Sequence, residues 1–116
     1  MSRKIALFVF NGEEICFIHA LMNTLDMKEK GYDVKMIIEG PATRLIKEAE
    51  DEKRPFINLY VKAKEAGLID CVCRACAAKM ESLESVKQQN LTLCDEMFGH
   101  PSMARYMDEG YEIVVF

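Results

Sequence analysis

Apolar residues in this chain follow two alternating rhythms, short unbroken runs and positions spaced three and four apart. The run over residues 4–10, Lys-Ile-Ala-Leu-Phe-Val-Phe, is continuous and rich in β-branched and aromatic side chains, as expected of a strand buried on both faces. Asn11-Gly12 ends it, and Glu13-Glu14 place carboxylates where the first turn of a helix favours them. Ile15, Ile18, Met22 and Leu25 then recur at helical spacing until Gly31. A second strand is predicted over residues 33–39, closed by Gly40-Pro41, followed by a charged helix over 43–52. Pro55 opens a further helix over 56–66 that Gly67 stops. The apolar run from Leu68 into the cysteines is the third strand. Residues 74–89 are helical, with Ser82 able to cap a second helix and split the segment. Residues 91–94 are a short fourth strand, 95–100 a loop or a short turn of helix, 101–109 a last helix, and 111–116 a fifth strand.

Strand and helix in alternation define an α/β domain over residues 1–116, with a five-stranded, mainly parallel sheet, right-handed crossovers and helices on both faces. In such a sheet the ligand site lies beyond the carboxyl ends of the strands. That edge receives Asn11-Gly12, Glu39-Gly40, the cysteine run 71–76 and Cys94-Asp95-Glu96.

Composition narrows the partners. A net charge of −4 from 15 basic and 19 acidic residues supplies no basic patch, so nucleic acid is not an expected partner. The apolar run at residues 5–10 is far below the roughly 20 residues that span a bilayer, and no signal-peptide pattern precedes it. The chain therefore reads as cytoplasmic, without membrane contact. Five cysteines, an odd number, then argue for reduced thiols over a disulfide framework.

Three of those cysteines, Cys71, Cys73 and Cys76, fall within six positions at the predicted strand-to-helix junction. Cys73 and Cys76 form a C-x-x-C whose first thiol meets the helix start, with Arg74 beside it; both would lower the thiol pKa from about 8.5 toward roughly 3.5–7.5. Cys71, still inside the strand, reads as structural. His100 is held extended before Pro101 at the same edge, where an imidazole can take a proton from a thiol or persulfide. Asn11-Gly12 is either a tight turn or a pocket lining. Cys16 and His19 share a helical face and offer, with the later cysteines, a weak thiolate–imidazole metal pattern; no resident metal or other cofactor is expected.

On Phe10-Asn11-Gly12, His19-Ala20-Leu21, Ile37-Ile38-Glu39-Gly40, the 71–76 cysteine run and Gly110-Tyr111, the chain resembles the DsrE/DsrF-like family of small sulfur-handling proteins, which includes TusD-like sulfur-relay subunits. The resemblance implies a three-layer α/β/α fold, assembly into homo-oligomers such as trimers or hexamers, and sulfur carried as a persulfide on a cysteine after the third strand, the position of Cys73. On this reading Cys76 is the resolving thiol, and Asn11, Gly12, Glu39, Gly40, Arg74 and His100 support the pocket. Sulfur donor and acceptor proteins or small thiols are the partners. Two other readings stand beside it, a non-catalytic oligomeric binding module with packed or metal-binding cysteines, and a dithiol redox switch.

Overall fold

A computed structural model describes residues 3–116. The apolar runs form five strands, β1 (Lys4–Val9), β2 (Asp33–Ile38), β3 (Ile69–Cys73), β4 (Leu93–Cys94) and β5 (Glu112–Val115). All are paired in parallel, in the order β4-β3-β2-β1-β5. The helices are α1 (Glu14–Glu29), α2 (Arg44–Glu48), α3 (Ile57–Glu65), α4 (Arg74–Lys79), α5 (Leu83–Gln88) and α6 (Met103–Asp108), with a 3-10 turn over Gly40–Thr43 ahead of α2.

The two faces of the sheet are covered unequally. Ile5, Leu7, Val9, Met36, Ile38 and Val72 pack into one large core with residues from α1 to α5, where Phe17, Phe56 and Tyr60 stack edge-on. Ala6, Phe8, Ile37, Cys71 and Cys94 face the other way, against Tyr106 of α6 and Tyr111. Tyr106 meets Phe8 and Tyr111 in edge-to-face pairs and donates a hydrogen bond to Asp70. The asymmetry follows from topology. Right-handed crossovers from β1 stepwise to β4 stay on one face, and only the return from β4 to β5 crosses the other.

Several elements are shorter than their patterns predict. The segment 74–89 is two helices, parted at Glu81, whose φ is +59°. Ser82 occupies the cap position of α5, but its hydroxyl donates back to the Ala77 carbonyl and does not cap. The fourth strand keeps only two residues, Leu93 and Cys94, paired with Val72 and Cys73 of β3.

Pairing of β2 with β3 shifts by one residue. Met36 pairs with Ile69 but Ile37 with Cys71, leaving Asp70 unpaired. Strict alternation from Ile69 would send Cys71 and Cys73 into the large core; the extra residue turns them to the α6 face instead.

The cysteines depart from expectation at one pair. Cys71 and Cys94 are joined by a disulfide with a Cα–Cα distance of 5.8 Å, whereas Cys16, Cys73 and Cys76 are free. Two side chains 23 residues apart are made neighbours by the β3–β4 pairing, a proximity that no count of cysteines reveals.

Candidate functional site

Cys73 is the last residue of β3 and the cap of α4, so its thiol sits at the carboxyl edge of the sheet. Its Sγ accepts a hydrogen bond from the Cys76 backbone N–H at 3.4 Å, lies 3.0 Å from His100 Nδ1, and is 3.7 Å from the Gly99 carbonyl. Cys76 Sγ is 3.6 Å from the same imidazole nitrogen. Cys73 is fully buried, while Cys76 and His100 are partly exposed.

The loop between β4 and α6 brings His100 there and is held against α4 at several points. Arg74 pairs with Asp95 at 3.0 Å, and the Ala75 N–H donates to the Gly99 carbonyl. Met97 and His100 exchange backbone hydrogen bonds, which turns the chain back on itself and leaves Phe98 at the tip, 99% exposed with φ +51°. Gly99 has φ +90°, and a Cβ there would stand 3.2 Å from the Ala75 Cβ, so glycine allows both the turn and the close approach.

Glu39, at the end of β2, completes the group. Its side chain is 7% exposed and its carboxylate lies 3.9 Å from His100 Nδ1. Burial, with the nearby charge of Glu96, pushes its pKa up to about 7. A cavity of about 380 Å³ opens beside it, lined by Phe10, Glu39, Met97, His100, Pro101 and Met103 among others. A ligand in this cavity meets His100 and Glu39 at its wall.

The thiol is tuned differently from the expectation. Burial pushes Cys73 up to about 12; the Cys76 N–H pulls down, but the neighbouring Cys76 thiol and Glu39 add to the rise. α4 is only six residues long, and Arg74 is turned to Asp95, so the helix start and the guanidinium do not prevail. Cys73 is therefore a protonated thiol at neutral pH that needs an acceptor. With the imidazole proton on Nε2, Nδ1 is that acceptor, and its 3.0 Å separation is within the reach of a general base.

Among the predicted supporting residues, Asn11 and Gly12 serve the turn after β1. Asn11 Oδ1 accepts from the Glu13 N–H, Arg44 donates to the Gly12 carbonyl, and a Cβ on Gly12 would stand 2.9 Å from the Pro41 Cβ. Gly40, at φ +54°, packs on Phe10 and turns the chain out of β2 just after Glu39. Arg74 anchors the His100 loop. Cys16 and His19 line a different groove, with Ile15 and Phe116. The donor atoms that do come together are Cys73 Sγ, Cys76 Sγ and a His100 ring nitrogen, all within 4.8 Å of one another, a set that can hold a thiophilic metal ion. Sequence reasoning missed the Arg74–Asp95 anchor and the Cys71–Cys94 pair, since both depend on where β4 lies.

A parallel sheet that presents a buried thiol, a second thiol one turn on and an imidazole between them defines a small α/β thiol protein. This chain belongs to the DsrE/DsrF-like family, which it matches over residues 4–116. It is similar to the uncharacterized protein MJ0733 of Methanocaldococcus jannaschii, with 36% identity over 97 residues covering 84% of this chain and 77% of that one. An uncharacterized protein of Archaeoglobus fulgidus is 46% identical over 43 residues, covering 37% of this chain and 70% of that protein. Its fold is similar to that of BT1422 from Bacteroides thetaiotaomicron, a conserved protein of unknown function, with a TM-score of 0.69, 16% identity and coverage of 96% and 94% of the two chains. No helix among the described residues is long and apolar enough to cross a membrane.

Proposed function

We propose that this protein carries sulfane sulfur as a persulfide on Cys73 in a cytoplasmic sulfur relay, with His100 as the proton acceptor and Cys76 as the resolving thiol. The observation that carries this reading is the placement of the Cys73 and Cys76 thiols around one imidazole nitrogen, 3.0 and 3.6 Å away. A buried thiol with a pKa near 12 is idle until its proton is taken, so loading is gated by the base.

The Cys73 proton moves to His100 Nδ1 as Sγ attacks the outer sulfur of a donor R–S–SH. The new S–S bond forms on Cys73, the donor S–S bond breaks, and the proton passes to the departing R–S⁻. Unloading takes one of two routes. An acceptor thiolate can attack the outer sulfur and carry it away, or Cys76 can attack Cys73 Sγ, releasing sulfide and leaving a Cys73–Cys76 disulfide. Donors and acceptors are small thiols or proteins. The chain acts as a homo-oligomer, a trimer or hexamer, which sedimentation analysis measures directly.

Mass spectrometry of reduced protein exposed to glutathione persulfide tests the reading. A gain of about 32 Da on Cys73 is expected, transient in the wild type, accumulating in Cys76→Ser where the resolving thiol is missing, and absent from Cys73→Ser. Loading that survives Cys73→Ser would overturn it. A second reading draws on the three donor atoms within 4.8 Å: stoichiometric zinc in protein purified anaerobically, with Cys73 then refusing sulfur, would favour a metal-binding module.

A further inference from the structure

The Cys71–Cys94 disulfide lies next to the site, one strand pair from the carrier thiol. In the β3–β4 ladder, Cys94 is the register partner of Cys73, and strand alternation puts Cys71 on the same face as Cys73. Cys94 thus stands between Cys71, to which it is bonded, and Cys73, beside which it is paired. The disulfide also forms part of the wall of a groove of its own, about 460 Å³, with Asp70, Thr92, Asp95, Glu96 and Arg105 around it. The structure therefore holds one dithiol beside His100 and one disulfide at an opening of its own.

We propose that Cys71 and Cys94 form an electron reserve that reduces the Cys73–Cys76 disulfide, making the chain a four-thiol relay from an external dithiol to sulfane sulfur. This rests on the persulfide reading of Cys73 and adds to it a reductive outcome, release of the sulfur as sulfide, and a second site where the reductant acts.

The steps balance within the chain. Cys76 thiolate attacks Cys73 Sγ, and the bond to the outer sulfur breaks with sulfide as leaving group. Cys94 thiolate then attacks Cys73 Sγ, expelling Cys76 as thiolate and forming a Cys73–Cys94 bond. Cys71 thiolate attacks Cys94 Sγ and expels Cys73. In sum, Cys73–S–SH and two thiols become Cys73–SH, H2S and the Cys71–Cys94 disulfide, which is the pairing the structure contains. An external dithiol entering the second groove exchanges with that disulfide and resets the relay, itself oxidised to a disulfide.

The test has two arms, both on fully reduced, desalted, anaerobic protein. In the first, one equivalent of diamide, a sulfur-free oxidant of dithiols, is added and the disulfides are mapped after alkylation over time. The relay predicts that the bond ends at Cys71–Cys94, with Cys73 and Cys76 alkylated. A bond that stays at Cys73–Cys76 overturns it. In the second arm, excess glutathione persulfide is added and sulfide counted above a protein-free control. About two sulfides per chain are expected from the wild type, against about one from Cys94→Ser or Cys71→Ser, because each dithiol supplies one two-electron equivalent. One from all three also overturns the relay. Absence of both sulfide and the 32 Da adduct instead locates the failure in the persulfide reading, and the diamide arm still decides the relay on the wild-type chain alone.

Discussion

Glu39 is a carboxyl held almost out of water beside an imidazole, and its raised pKa has a consequence for stability. Folding favours its protonated form, so the native state binds the proton more tightly than the unfolded chain does. Stability is then highest below the ordinary carboxyl range and declines as pH rises from about 4.5 to about 7, by at most roughly 1.4 kcal/mol per pH unit. Urea midpoints measured from pH 4.5 to 8 should show this decline in the wild type and a flatter profile in Glu39→Gln; equal profiles would mean that the carboxyl is not desolvated. Cys73 has its own signature. With its pKa near 12, its alkylation by iodoacetamide at pH 8 should be slower than that of a free cysteine and should keep rising above pH 9. His100→Asn should slow sulfur loading at pH 7 by roughly a hundredfold or more, the range ordinarily supplied by a general base, and leave the fold intact.

The element that makes the site is the β4–α6 loop, clamped onto the start of α4. Arg74 and Asp95 are both about half exposed, so their ion pair contributes only about 0–1 kcal/mol, yet it fixes the loop that holds His100. Arg74→Ala should therefore leave the melting temperature nearly unchanged while slowing Cys73 loading, a split that a purely structural arginine would not produce. Gly99→Ala should do both. The positive φ and the approach to Ala75 make it destabilising by about 1–3 kcal/mol, with reduced loading, both readable from denaturation and mass spectrometry. The connection was legible as a loop or a short helical turn, and His100 as its candidate residue, from Gly99-His100-Pro101. Its docking on α4 was not, because a backbone hydrogen bond such as Ala75 to Gly99 carries no side-chain signature. The shifted pairing at Asp70 was hidden for a similar reason. Read by alternation, the run from Ile69 to Cys73 gives the wrong face for its cysteines, and only the ladder with β2 shows the extra residue.

For the molecule as a whole, the unequal covering of the sheet matters most. One face rests on a six-residue helix, α6, and on Tyr106, which is fully buried, packs on Phe8 and Tyr111, and bonds Asp70. Tyr106→Ala should cost about 3–5 kcal/mol, seen as a lowered urea midpoint. Phe8 and Ile37 would lose their cover, and the Cys71–Cys94 pair its neighbour, since Tyr106 Oη is 3.5 Å from Cys71 Sγ.

By itself the sequence determined the parallel α/β sheet and singled out Cys73, Cys76 and His100 as candidates at the carboxyl edge of its strands, because hydrophobic periodicity and the residues at strand ends are local properties of the chain. Tertiary structure alone decided which sulfurs meet and how each ionises. Cys94 joins Cys71, and Cys73 is raised where its helix position suggested lowering. Both depend on strand register and on the depth of burial, and these are set by residues far away in the chain.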